Sequence, residues 1–195
     1  FILGYTHYLS NKYNLTNLIY TILISILLIS TIKFHERFNI NKKFMDLDKA
    51  DFKLSQNSEI LDQSLKNLKW ITPIYPTKPN YELNKLIELK ETLINDPENK
   101  IIVTNYQFLP SITNLKKIAP NKWFDGQSVP KSNSKYFNFY KNFLINSLKN
   151  QEVKIIYLTF NKVIYFNEFF EKDCYETTIV NEISSRINMA KCLKN

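Results

Sequence analysis

Glycine is nearly absent from this chain of 195 residues, which holds only Gly4 and Gly126. The Walker phosphate-binding loop and the dinucleotide-binding fingerprint both need several glycines, because the backbone must approach phosphate closely. The sequence therefore excludes both motifs. It also contains no HExxH, CxxC or GxSxG motif, the common signatures of zinc, redox and serine-hydrolase sites.

Residues that bind metals are equally scarce. The two histidines, His7 and His35, flank one apolar segment, so the polar remainder has no histidine for a metal site or a catalytic triad. We expect His35 to be an interfacial side chain. Asp46, Asp48 and Asp51 form a loose acidic cluster, but hard cations need convergent oxygens and glycine-permitted turns, which this stretch lacks. The sequence predicts no metal site and no cofactor.

Arginine is also rare, although the formal net charge is +8. Only Arg37 and Arg186 are present, and the many lysines are scattered and often adjacent to acidic residues. Nucleic-acid surfaces favour arginine because its planar fork binds bases and phosphates in pairs of hydrogen bonds. We therefore expect no nucleic-acid partner.

One long apolar run is present. Residues Leu18 to Ile32 include no charge, proline or glycine. Extended to residues 15–34, the run reaches about 20 residues and spans roughly 30 Å as a helix, enough to cross a bilayer. A buried core helix is the alternative. A signal peptide fits less well, because no small-x-small cleavage site follows and Lys33-Phe-His-Glu-Arg37 forms a charged collar.

This run divides the chain into four parts. Residues 1–14 are interpreted as the end of an upstream membrane region or a loop, and residues 15–34 as a transmembrane helix. Residues 35–57 are predicted to be a linker, and residues 58–195 an extramembrane α/β domain. Because the first residue is Phe1, we expect a processed chain or a fragment, with further membrane helices upstream.

Helical and strand patterns alternate in the extramembrane part. Helices are predicted over 58–65, 81–95, 110–118 and 132–150, and strands over 68–71, 100–105, 153–160 and 188–193. Residues 177–187 are ambiguous, with a helix slightly favoured. Such alternation predicts an α/β fold with a mostly parallel sheet covered by helices, preceded by one transmembrane helix. Strands 101–104 and 153–158 should lie adjacent and parallel, joined by helix 132–150 as a crossover.

The segment Thr104-Asn-Tyr-Gln107 follows a strand and precedes a helix. Ligands of α/β sheets bind at the carboxyl ends of strands. Asn105 and Gln107 are therefore candidates to hydrogen-bond a sugar or phosphate, with Tyr106 stacking on a ring. The alternative is that these residues only cap the turn.

A second candidate loop is Asp125-Gly-Gln-Ser128, followed by Lys131. Asp125, Ser128 and Lys131 could bind a ligand together. A plain turn before a helix would explain the same residues.

Several short pieces of the chain carry a resemblance to a known group of proteins. They are Leu68-Lys-Trp-Ile-Thr-Pro73, Glu82, Ile101-Ile-Val-Thr-Asn-Tyr-Gln107, Ser128-Val-Pro130, Tyr136-Phe-Asn-Phe-Tyr140, Cys174 and Cys192. Together they resemble the C-terminal soluble region of bacterial polytopic membrane proteins similar to GT-C glycosyltransferases. That superfamily includes dolichyl-phosphate-mannose-protein mannosyltransferases and lipid A aminoarabinose transferases. The resemblance covers most of residues 34–192.

The resemblance implies a transferase that takes a sugar from a polyprenyl-phosphate donor on the outer face of the membrane that holds the enzyme. The catalytic acidic residue of such enzymes lies in an early extramembrane loop that nothing here matches, so no catalytic residue is assigned. This part would be accessory, serving acceptor recognition or stabilisation. Its partners would be the membrane and, through the upstream part, a lipid-linked sugar and an acceptor glycan or protein. The alternative is a membrane-tethered interaction module with no catalytic activity.

The sidedness of the domain depends on two opposing signals. Lys33, Arg37 and the lysines at 42 and 43 outnumber Lys12 on the other side of the span, which favours a cytoplasmic domain. In a bacterial periplasm, Cys174 and Cys192 could instead pair and close a loop that contributes about 3 kcal/mol. With the resemblance added, we expect the periplasmic face of a bacterial inner membrane.

Overall fold

The computed structural model describes residues 4–5, 8, 16–40, 44–121, 128–160 and 166–193. The chain divides into two compact units. The first unit comprises residues 1–54 and 71–77, and the second comprises residues 55–70 and 78–195.

The first unit is dominated by helix α1, Thr16–Phe34, which continues as a π-helix over His35–Ile40. Its apolar stretch is long enough to cross a membrane by length and composition, and none of that stretch is buried inside the protein. A buried core helix, the alternative interpretation, does not fit this exposure. The Thr21, Ser25 and Thr31 hydroxyls each donate at 2.8 Å to the carbonyl four residues earlier, so these three need no polar partner elsewhere.

The second unit contains three further α-helices and all the described strands. The strands are β1 (Gln56–Asn57), β2 (Lys69–Trp70), β3 (Lys100–Val103), β4 (Ile155–Thr159), β5 (Glu176–Asn181) and β6 (Ser184–Asn188). The helices are α2 (Pro79–Asn95), α3 (Leu109–Ile112) and α4 (Phe137–Asn150). β1 and β2 form a small antiparallel sheet, and the larger sheet has the order β3-β4-β6-β5.

The larger sheet is mixed and mostly antiparallel. β3 and β4 pair in parallel, with α4 in the connection between them, which confirms that part of the prediction. β6, however, is antiparallel to both β4 and β5, so the expectation of a mostly parallel sheet is wrong. The reason is local: only two residues separate β5 from β6, and so short a connection joins antiparallel strands only.

The same hairpin corrects two predicted elements. Residues 177–187 form strands rather than a helix, and the last strand ends at Asn188 instead of beginning there. The connection needs no glycine because the Asn181 side chain closes it. Its Oδ1 accepts hydrogen bonds from the Ile183 amide at 3.1 Å and the Ser184 hydroxyl at 2.8 Å.

Helix boundaries differ from the predicted ones for identifiable reasons. α2 begins at Pro79 rather than at residue 81, because proline lacks an amide hydrogen and fits the first helical position. The helix predicted over 58–65 is instead two short 3-10 turns, Ser58–Ile60 and Gln63–Leu65. Each begins after a side-chain cap, Asn57 and Asp62 respectively.

The core lies where helices cover the central strands. α2 buries four leucines on one stripe (Leu83, Leu86, Leu89 and Leu93), and all five residues of β4 are buried. α4 contributes Leu144 and Leu148 to a cluster that also includes alternate residues of β3, β4 and β6. A disulfide joins Cys174 to Cys192 with their Cα atoms 4.7 Å apart, and both cysteines pack against this cluster.

Candidate functional site

The candidate site lies at the carboxyl ends of the two parallel strands. Because β3 and β4 run in the same direction, Thr104 after β3 and Phe160 after β4 reach the same edge of the sheet. This edge is where ligands of α/β sheets usually bind. Residues 105–107, predicted from the sequence to bind a ligand, follow β3 at this edge.

Four aromatic rings and one carboxylate meet at this edge, and we call them the edge cluster: Trp70, Glu82, Tyr106, Phe108 and Phe160. The Tyr106 ring is central, with centroids 5.3 Å from Trp70, 5.7 Å from Phe108 and 5.6 Å from Phe160. The contacts with Trp70 and Phe160 are edge-to-face, the geometry that aromatic quadrupoles favour. The rings therefore hold one another in fixed orientations.

Glu82 places a carboxylate beneath these rings. It projects from the buried stripe of α2 and is fully buried, and it accepts a hydrogen bond from the Tyr106 hydroxyl. A buried carboxylate is costly unless it is hydrogen-bonded, and this contact offsets part of that cost. The Tyr106 amide also donates to Thr104 Oγ1 at 3.0 Å, which fixes the start of the turn.

Two features of the edge cluster reduce stability. Trp70 Nε1 is buried and has no hydrogen-bond partner among the described residues, and an unmade bond of this kind costs about 1–3 kcal/mol. Phe160 has φ of 53°, in the left-handed region that residues other than glycine rarely adopt. Orphaned donors and strained backbone are both concentrated at binding sites.

An open groove adjoins the edge cluster. It holds about 770 Å³ and is lined by Phe160, by residues of the β5–β6 hairpin and by Lys85 and Glu88 of α2. Lys85 Nζ lies 3.0 Å from Glu88 Oε1 and 3.1 Å from Glu182 Oε2. Hydrogen bonds to Glu88 and Glu182 raise the pKa of Lys85, so the groove carries a fixed positive charge between two carboxylates.

The first group of predicted site residues lies at this edge. Asn105 is exposed, and Tyr106 is half-buried in the edge cluster. Gln107 is exposed, but its Nε2 donates to the Thr104 carbonyl, which is the contact expected of a turn-capping residue. Gln107 therefore supports the turn, and ligand binding by Asn105 and Tyr106 stays a prediction.

The second predicted group lies in the loop that precedes α4 in the chain. Asp125 lies outside the described residues. The Ser128 carbonyl accepts a hydrogen bond from Asn121 Nδ2 at 3.3 Å, and the same amide donates to Tyr140 Oη at 3.1 Å. Lys131 is exposed. Ligand binding by Asp125, Ser128 and Lys131 stays a prediction.

A second buried carboxylate, which the sequence argument missed, joins α2 to the sheet. Asp96 Oδ2 accepts from Tyr157 Oη at 2.7 Å and from Arg186 Nε at 2.9 Å. Burial acts to raise the pKa of Asp96, but the hydrogen bonds from Arg186, Tyr157 and the Glu98 amide outweigh it and lower that pKa. Burial and the Asp96 charge raise the pKa of Tyr157. With its hydrogen bonds satisfied, this is a structural ion pair.

Two signals in the sequence could have located these carboxylates. Glu82 falls on the apolar stripe of an amphipathic helix, where a charged residue implies a buried partner. Arg186 is one of only two arginines in a lysine-rich chain, which favours a specific paired role. No group of three or more metal-ligating side chains occurs in the described part of the chain.

No protein-family profile matches the chain, and comparisons with curated proteins and with solved structures find no similar protein.

Proposed function

We propose that this chain is a membrane-tethered recognition domain. In this proposal α1 anchors the chain in a bilayer, and the second unit binds a hydroxyl-rich ligand such as a sugar at the edge cluster. The observation that carries the proposal is the orphaned indole donor of Trp70, buried among aromatic rings at the carboxyl ends of parallel strands.

Sugars match the chemistry of this edge. The C–H faces of a sugar ring pack on aromatic rings, and its hydroxyls both donate and accept hydrogen bonds. Half-buried rings of Tyr106, Phe108 and Phe160 are present, with the exposed amide of Asn105 beside them. A sugar hydroxyl that reached Trp70 Nε1 would supply the acceptor that this donor lacks.

Recognition is favoured over catalysis by the state of the acidic groups. Glu82 is hydrogen-bonded to Tyr106, and Asp96 is paired with Arg186. Neither carboxylate is among the residues that line the groove, and each is engaged in contacts within the fold. Both histidines, His7 and His35, belong to the first unit.

The finer proposal is an accessory role in a GT-C-like glycosyltransferase. The upstream part would bind the lipid-linked sugar, and this domain would recognise the acceptor. The resemblance of the quoted residues supports this version. The alternative is a membrane-tethered module that binds a protein and has no part in sugar transfer.

The disulfide supports an outer-face location, because structural disulfides persist in oxidising compartments such as the periplasm. Alkylating free thiols at the moment of lysis and then analysing the protein without reductant by mass spectrometry tests this placement. We expect a linked Cys174–Cys192 peptide pair. Recovery of both cysteines in alkylated form would assign the domain to a reducing compartment.

Sugar binding is tested by saturation-transfer NMR on the full chain in detergent, with neutral hexoses and pentoses as probes. Trp70→Phe removes one hydrogen-bond donor and should weaken binding roughly five- to tenfold. Asn105→Ala should also weaken it, whereas Asn146→Ala, an exposed asparagine on α4, is the matched control. The proposal fails if no probe binds, or if both edge variants bind as tightly as the control.

A further inference from the structure

The positive charge of this chain is concentrated in one segment. Residues 99–151 contain eight lysines and a single aspartate, a net charge of +7, while the whole chain carries +8. No acidic residue occurs from Gln127 to Gln151. The segment includes α4 and the turn that precedes it.

α4 also exposes three aromatic side chains, which we call the α4 aromatic face: Tyr136, Phe139 and Phe143. They are 60%, 79% and 48% exposed. Their spacing of three and four residues places them on one side of the helix. The buried leucines of α4, Leu144 and Leu148, lie on another side, so the fold does not use this aromatic surface for its core.

Lysines flank the α4 aromatic face. Lys131 and Lys135 are exposed at its start, and Lys135 Nζ lies 4.8 Å from the Tyr136 ring centroid. Another isolated apolar residue, Ile179, is as exposed at 77%, but its strand begins at Glu176 and the hairpin tip carries Glu182. Along the chain, exposed apolar residues and lysines therefore occur together at α4 and in the turn before it, and not at the hairpin.

We propose that the α4 aromatic face and its lysines dock on an anionic lipid surface. Helices that lie in a membrane interface bury aromatic side chains at the headgroup boundary and place lysines against anionic headgroups. The charge complementarity selects lipid of negative charge over a neutral bilayer. This inference rests on the proposed role of α1 as a membrane tether. Because a tethered domain meets the bilayer at a high effective concentration, even a weak contact with lipid can form.

The test uses the full chain reconstituted in vesicles whose acyl chains carry bromine, which quenches nearby tryptophan. Phe139→Trp reports on the α4 aromatic face, and Ile179→Trp is the matched control at an equally exposed apolar position. The tryptophan fluorescence of the wild-type chain is subtracted from that of each reporter variant. Vesicles rich in phosphatidylglycerol are compared with vesicles of phosphatidylcholine alone.

We expect bromolipid to quench Phe139→Trp in anionic vesicles and to leave Ile179→Trp unquenched. Adding Lys131→Gln and Lys135→Gln to the reporter chain should lower the docking constant roughly 30-fold, the combined effect of two lysines near an anionic surface. Salt at about 1 M shortens the Debye length to about 3 Å and should reduce quenching in the same way.

Equal quenching of the two reporters, or quenching that ignores lipid charge, overturns lipid docking. Absence of quenching at position 139 also overturns it and leaves an acidic protein as the partner that this surface fits. Salt-resistant flotation of the wild-type chain with vesicles reports α1 insertion separately. A chain that floats without quenching retains its tether and loses only this inference.

Discussion

Replacing Asp96 with Asn removes the negative charge that holds α2, β4 and β6 together. The carboxylate accepts from Tyr157 Oη at 2.7 Å, from Arg186 Nε at 2.9 Å and from the Glu98 amide at 3.0 Å. An asparagine keeps one acceptor oxygen but leaves the Arg186 guanidinium without its counter-charge. The variant Asp96→Asn therefore tests how much this buried pair contributes to stability.

The expected loss of stability in Asp96→Asn follows from how deeply the two charged side chains are buried. Removing one partner of a fully buried pair costs about 3–5 kcal/mol. The Asp96 side chain is 7% exposed but the Arg186 side chain is 28% exposed, so water compensates part of the stranded charge. We therefore expect a loss of about 2–3 kcal/mol in the free energy of unfolding.

The matched control is Glu98→Gln, the same chemical change two residues away. Glu98 pairs with Lys154, and their side chains are 42% and 57% exposed, so we expect a loss below about 1 kcal/mol. Urea denaturation of the full chain in mild detergent, followed by near-ultraviolet circular dichroism, measures both variants.

The pH dependence provides a second measurement on the same variant. Because folding lowers the pKa of Asp96, its contribution is fully present above the unfolded pKa of about 3.9 and is lost as the pH falls through the folded value. The stability difference between wild type and Asp96→Asn should therefore be constant near neutral pH and shrink below about pH 4. A loss no larger than that of the control, or a difference independent of pH, would refute this account of the pair.

Two further changes test the disulfide and the core by the same denaturation assay. Replacing Cys174 and Cys192 by alanine should cost about 3 kcal/mol, because a cross-link between residues separated by 18 positions restricts the unfolded chain; unchanged stability would contradict this. Leu89→Ala should cost about 2–5 kcal/mol because the side chain is fully buried. Ile94→Ala, at a position 56% exposed on the same helix, should change stability by about 0.5 kcal/mol or less, and equal losses in the two variants would show that α2 packs differently.

Elements with a strong local pattern were predictable. The uncharged run of α1, the leucine stripe of α2 and the continuous apolar runs of β3 and β4 each indicate their own structure through run length or hydrophobic pattern. The parallel pairing of β3 with β4 was also predictable, because a helix lies between two buried strands and a crossover joins parallel neighbours.

The β5–β6 hairpin was not predictable in the same way. The first four residues of β5 are all exposed, so the strand has no alternation of buried and exposed positions to distinguish it from a helix. Its conformation depends on β6, which pairs with it and with β4. Missing this hairpin made the sheet seem mostly parallel.

For the candidate site too, one feature was predictable from the sequence and another was not. Its position after β3 followed from the sequence, because strand ends bind ligands in α/β sheets and polar residues follow that strand. Its composition did not, since Tyr106 meets Glu82 from 24 residues earlier and Phe160 from 54 residues later.

The sequence alone determined the helices and strands that have a strong hydrophobic pattern. It also determined the position of the membrane-length helix. Only the tertiary structure decided which buried groups meet, as when Asp96 pairs with Arg186 across 90 residues. The physical reason is that a hydrophobic pattern is set by residues close together in the chain, so it is a local property. Partner choice depends on the strand order and on how helices pack over the sheet, and neither leaves a local pattern.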